Sequence, residues 1–148
     1  MSMQRILDTM HALDGVLELA PGPGSDFPEL SWGDRFFFYA PDGVIPSGQP
    51  YATIVTKDYP GDELSALGDG RWRVNVQVGR ARAERLVGAG PHDLREKDVL
   101  LPHPVYGGLG WIAVVNPAER TMPLLLDLVR AAHEDARRRR ERRDTTGS

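Results

Sequence analysis

Residues 72–78 read WRVNVQV, and their alternation decides what kind of fold this chain builds. Trp72, Val74, Val76 and Val78 fall on one side of an extended chain, and Arg73, Asn75 and Gln77 on the other. A period of two marks a strand with one apolar and one more polar face. Working outward, the flanking segments supply the rest of a sheet. RFFFY at 35–39 and YATIVTK at 51–57 are rich in strand formers, and WIAVV at 111–115 is short and continuously apolar, as a central strand is. ELSW at 29–32 reads as a hairpin partner of RFFFY, turned at Gly33-Asp34. Asn116-Pro117 ends the WIAVV strand, because proline has no N–H for the ladder.

Helices bracket these strands. Met3, Ile6, Leu7, Met10 and Leu13 recur at spacings of three and four, which predicts an amphipathic helix over 3–13 with Ser2 as cap and Gly15 as stop. A short helix is expected over 81–87. A long one starts near Met122, with Thr121 as its cap, Pro123 tolerated in its first turn and Leu125, Leu128, Val129, Ala132 and Ala136 as its buried stripe. Beyond about Arg140 this helix is expected to fray. The organisation is therefore one domain over 1–140 and a disordered basic and polar tail over 141–148. APGPGSDFP at 20–28 and the acidic KDYPGDELSALGDG at 57–70 are loops. Strands follow one another without long crossovers, so the sheet should be mainly antiparallel. The N- and C-terminal helices cover one face in a two-layer α+β fold, and the face of Arg73, Asn75 and Gln77 is expected to stay open.

The bulk properties narrow the function. With 148 residues, 41% hydrophobic and 26% charged, the chain has the size and balance of one globular domain. No apolar run nears the roughly 18 residues of a membrane span, so no membrane partner is expected. The N-terminus is amphipathic and carries acidic residues, unlike a secretory signal. The absence of cysteine removes disulfides, thiolate metal sites and a cysteine nucleophile, and fits a cytoplasmic protein. Residues 137–143, RRRRERR, hold six arginines against one glutamate, whereas the chain before them has 12 basic and 19 acidic residues. An acidic body is a poor surface for duplex DNA except at that tail.

Specific chemistry is sparse. In HPVYGGLGW at 103–111 the glycines lead into a strand and not a helix, so the spacing fits neither a phosphate loop nor a dinucleotide fingerprint. The glycines read as a sharp turn into WIAVV. His103 and Tyr106 are the candidate catalytic residues, since an imidazole titrates near neutrality and a phenol can donate a proton. Asp98 is the nearest carboxylate in sequence that could orient His103. His11 and His133 read as boundary residues of the first and last helices, and His92 as a loop residue. Asp58, Asp62, Glu63 and Asp69 form an acidic, solvated loop without the carboxylate ladder of a calcium site. No serine sits in a GxSxG elbow. Neither a metal nor a cofactor is expected.

The preferred site is the polar strand face. Arg73, Asn75 and Gln77, with Lys57 at the end of its neighbouring strand, would offer guanidinium, amide and ammonium donors to an anionic or carbonyl-bearing ligand. Trp111 or Trp32, with His103 and Tyr106, would lie at the rim.

LDGV near the first helix, SWGDRFFFYAPDGV, PYATIVTKDYPGDE, RVNVQVG and HPVYGGLGWIAVVNP together resemble an uncharacterised bacterial family of domains of unknown function. More distantly, the layout is similar to the MmcQ/YjbR-like proteins. That resemblance implies a CyaY-like, double-wing α+β fold and a possible nucleic-acid role, from which the HPVYGGLGW glycines and the acidic body depart. It assigns no catalytic residues. The expected function is binding of a small molecule or a protein partner on the polar sheet face. One alternative is nucleic-acid binding through the arginine-rich C-terminal helix. The other is a small enzyme of secondary metabolism that moves protons with His103 and Tyr106.

Overall fold

A computed structural model describes residues 2–146. Helix α1 (Ser2–His11) is followed directly by strand β1 (Val16–Leu19), then β2 (Arg35–Tyr39), β3 (Ala52–Val55) and β4 (Arg73–Gln77). Helix α2 (Arg80–Val87), β5 (Leu101–Pro102), β6 (Trp111–Val115) and the long α3 (Met122–Thr146) complete the chain. The six strands form one antiparallel sheet in the order β1-β2-β3-β4-β6-β5. The α+β architecture with a mainly antiparallel sheet is thus the one the WRVNVQV alternation implied.

Register explains the core. Phe37, Ala52, Val76 and Ile112 are cross-strand neighbours, as are Ile54, Val74 and Val114. All seven are buried beneath α1 and α3, which contribute Ile6, Leu7, Met10, Leu125, Leu128, Val129 and Ala132. The stripe spacing in both helices follows from the 3.6-residue period. At Gly15, between α1 and β1, φ is +78° and an added Cβ would stand 2.7 Å from the Tyr39 ring. Only glycine fits there.

Two local readings are corrected. ELSW is not a strand: Glu29–Ser31 is a single 3-10 turn, bounded by Pro28 and by Gly33 at φ +89°, and Leu30 is exposed. The partner of RFFFY is instead VLEL, with Val16 opposite Tyr39 and Leu19 opposite Phe36. The arginine tail is also ordered further than expected, because α3 runs on to Thr146. Spaced carboxylates support it: Arg137 pairs with Glu134 and Glu141, and Arg140 with Asp144. The last residues of the expected tail, 147–148, lie outside the described residues.

The cap of α3 comes from a distant segment. Asp98, at φ +56°, accepts the backbone N–H groups of Ala118 at 2.8 Å, Arg120 at 3.1 Å and Thr121 at 3.0 Å, and the Thr121 hydroxyl at 2.6 Å. Burial works to raise the Asp98 pKa, but these donors together hold it below its ordinary value. Asp98 therefore serves the helix and not His103.

Candidate ligand cleft and the buried polar cluster

The polar face of β4 is not open. Arg73 and Asn75 are 1% and 2% exposed, covered by the loop after β3 and by His103. The Arg73 guanidinium uses four of its five N–H groups. It donates to Asn75 Oδ1 at 2.8 Å, to Ser65 Oγ at 2.9 Å, and through two nitrogens to both Asp62 oxygens at 3.0 and 2.6 Å. Asn75 in turn donates to Thr53 Oγ1 at 2.9 Å. The apolar residues Val55, Ala113, Val115 and Leu101 seal the same region. One member of the acidic loop, Asp62, thus lies inside as the counter-charge of Arg73. A bidentate, hydrogen-bonded pair is what makes a buried charge tolerable.

His103 completes the cluster. Its Nδ1 accepts the N–H groups of Val105 at 3.0 Å and Tyr106 at 3.1 Å. That pattern assigns the proton of the neutral ring to Nε2, which lies 3.9 Å from Asp62 Oδ2. Nε2 also lies 3.4 Å from Arg73 Nη2, a contact between two N–H groups and not a hydrogen bond. Burial, then the Arg73 charge, push the His103 pKa down to about 4 against the opposing pull of Asp62. The Tyr106 ring lies 5.0 Å from the imidazole, so these two expected residues do meet. However, Tyr106 is half exposed, and the only lone pair of His103 is already taken by backbone. This geometry gives His103 the work of bending HPVYGGLGW and leaves it no free site to accept a proton.

Lys57 lies elsewhere. It donates to Asp34 Oδ1 at 2.9 Å and to the Trp32 carbonyl at 2.7 Å. The fully buried Asp34 also accepts the Thr56 N–H and hydroxyl, at 2.8 and 2.7 Å, and the Tyr59 hydroxyl. Burial, reinforced by Asp34, drives the Tyr59 phenol well above its ordinary pKa. These bonds pin the 29–34 segment to the end of β3. The Trp32 indole N–H is buried beside them without a hydrogen-bond partner.

His133 is a buried bridge, not a boundary residue. Its Nε2 donates to the Asp14 carbonyl at 2.8 Å, so Nδ1 accepts the Tyr51 hydroxyl at 2.7 Å. The link ties α3 to β3 and to the turn after α1. His11, expected at the boundary of the first helix, is exposed and contacts Glu18 at 3.1 Å, and His92 contacts the Gly88 carbonyl at 3.3 Å from its loop. Among the described residues no cluster of three or more histidine or carboxylate side chains could hold a metal ion. No helix among the described residues is long and apolar enough to cross a membrane.

The concave surface of the molecule lies at the other end of the same strands. An open cleft of about 920 Å³ runs between the last turns of α3 and the strand ends, walled on its third side by the loop before β3. Its floor is Phe38, Tyr39, Tyr51, Gln77, Leu109 and Trp111. Its helical wall carries four arginines, Arg139, Arg140, Arg142 and Arg143, against the single carboxylate of Asp135. Local carboxylates occupy part of the basic stretch, but Arg139 is exposed and has no acidic partner among the described residues. A smaller cavity of about 320 Å³ between α2 and the HPVYGGLGW segment shares the Trp111 side chain as a wall. Of the expected ligand residues, Gln77 and Trp111 line the large cleft, while Lys57, Arg73 and Asn75 do not. In the sequence the floor strands and the arginine run stand far apart. Nothing in either one shows that α3 returns across the ends of β2 and β4.

Comparison with known proteins adds a classification. Neither a curated protein nor a solved structure matches the chain. A family model, described as a family of unknown function (DUF6194), matches residues 1–145. The chain belongs to the DUF6194 family.

Proposed function

We propose that this protein binds a small anionic ligand with an apolar or aromatic body, held in the cleft between α3 and the strand ends. The observation that carries this reading is the pairing of an aromatic floor with a wall of four arginines in one concave space of about 920 Å³. That volume lies within the roughly 300–1,000 Å³ typical of small-molecule sites. The floor supplies apolar contact for a ring or chain, and the guanidinium groups supply planar donors for a carboxylate, phosphate or sulfonate. The resemblance to MmcQ/YjbR-like proteins adds no residue to this reading.

Calorimetric titration with phenyl phosphate, benzoate and benzenesulfonate, each at low and high salt, tests it. Binding should weaken with salt, and Arg139→Gln should cost about tenfold, the worth of one charge-assisted hydrogen bond of roughly 1.4 kcal/mol. Failure of all three aryl anions to bind at millimolar concentration would sink the reading. The nucleic-acid alternative is less favoured, because Glu134, Glu141, Asp42 and Asp144 already contact Arg137, Arg138 and Arg140. Salt-sensitive anisotropy changes with oligonucleotides, unaffected by phenyl phosphate, would reverse that preference.

A further inference from the structure

The loop between β2 and β3 crosses to α3 at one notable point. Asp42 Oδ2 lies 3.0 Å from Arg140 Nη2, although the two are 98 residues apart in the chain. The loop itself, APDGVIPSGQP at 40–50, has no regular structure and is cut by three prolines and two glycines. A turn closed by Gly43 N–H on the Ala40 carbonyl, with Asp42 Oδ1 accepting the Val44 N–H at 3.1 Å, presents the other Asp42 oxygen to the helix. Pro46, Gly48, Gln49 and Pro50 of this loop line the cleft, as does Arg140. At the tip, Val44 and Ile45 stand 64% and 52% exposed, an unusual position for two adjacent β-branched side chains.

We propose that Asp42 is the cleft's built-in competing anion: its carboxylate holds the place on Arg140 that the ligand's anionic group takes, and binding exchanges one for the other. This rests on the cleft being the ligand site. The exchange conserves charge, since one carboxylate leaves the guanidinium as another oxyanion arrives. It is feasible because both partners are partly exposed, at 49% for Asp42 and 24% for Arg140, and an exposed pair is weakly held. Two consequences follow for the ligand and the loop. The ligand must carry a carboxylate-like, planar or tetrahedral oxyanion, since a neutral aromatic cannot displace Asp42. Release of Asp42 frees the 41–50 loop to bring Val44 and Ile45 over the ligand's apolar body.

The test is titration of wild type, Asp42→Asn, Arg140→Gln and the double variant with phenyl phosphate, with phenol and inorganic phosphate as controls. Asp42→Asn keeps the acceptor for Val44 N–H while removing the competing charge. It should bind phenyl phosphate about 2- to 5-fold more tightly than wild type, the scale of an exposed ion pair. Arg140→Gln should bind more weakly, and adding Asp42→Asn to it should bring no further gain. In amide NMR spectra, the Val44 and Ile45 resonances of saturated wild type should move toward their positions in free Asp42→Asn. If wild type binds but Asp42→Asn binds equally or less well, the exchange is wrong while the cleft reading stands. If neither wild type nor Asp42→Asn binds, both fall.

Discussion

Arg73 illustrates how a single buried charge organises its surroundings. Four of its five N–H groups meet Asp62, Ser65 and Asn75, and through them the loop after β3 is drawn onto the sheet. Removing one partner of such a pair strands the other in a dry environment, so Arg73→Leu should cost about 3–5 kcal/mol in urea unfolding. Adding Asp62→Leu to that variant should recover part of the loss, and simple additivity would show that the two charges do not depend on each other. His103 makes a different statement, about pH. Its folded pKa of about 4 lies below the ordinary 6.5, so between these values the unfolded chain binds the extra proton. Stability is then full above pH 6.5 and falls as pH drops toward 4, by at most about 1.4 kcal/mol per unit. His103→Asn, whose carbonyl can still accept the Val105 and Tyr106 N–H groups, should flatten that stretch of the stability curve. An unchanged slope would assign the acid sensitivity to other groups.

Elements show what sequence could and could not reveal. The alternation of WRVNVQV set Val74 and Val76 in the core, and the helical stripes of α1 and α3 were equally plain, because burial against one partner imposes a simple period. VLEL was missed because four residues directly after a helix are too few to display a period. ELSW was misread because its strand-forming tryptophan lies between Pro28 and Gly33, whose backbone demands prevail over propensity. Alternation also tells which side a residue faces and not what covers that side, which is why the polar face of β4 was expected to be open. The turn into β6 was read correctly as a steric matter. Gly110 has φ +95°, and an added Cβ would stand 2.6 Å from the Gly79 carbonyl carbon and 2.7 Å from Arg80 N. Gly110→Ala should therefore cost at least about 1–3 kcal/mol, whereas Gly108→Ala, with open space around it, should stay within about 0.5 kcal/mol. Equal losses in thermal denaturation would show that the segment tightens everywhere and not at one glycine.

At the scale of the molecule, the candidate site is an assembly of pieces that are remote in sequence. Phe38, Gln77 and Trp111 come from three strands, Tyr51 directly precedes a fourth, and the basic wall arrives from the final helix. Only the fold brings them together, so residue spacing carried no trace of the cleft. The same long-range assembly makes α3 a helix with two different halves. Leu125, Leu126, Leu128, Val129, Ala132 and His133 are buried, whereas residues 138–139 and 141–145 are exposed. Ending the chain after Arg138 should leave the thermal midpoint within about 2 °C, yet abolish phenyl phosphate binding. A large fall in melting temperature would mean that the distal turns also anchor the fold.

That division of α3 has a further implication. Its final turns overhang the body and place no fully buried side chain beyond Ala136 among the described residues, so an exchange of side chains there would leave the packed core as it is. Selection acting on this helix would meet two nearly independent landscapes on one continuous rod, with a frontier close to Ala136.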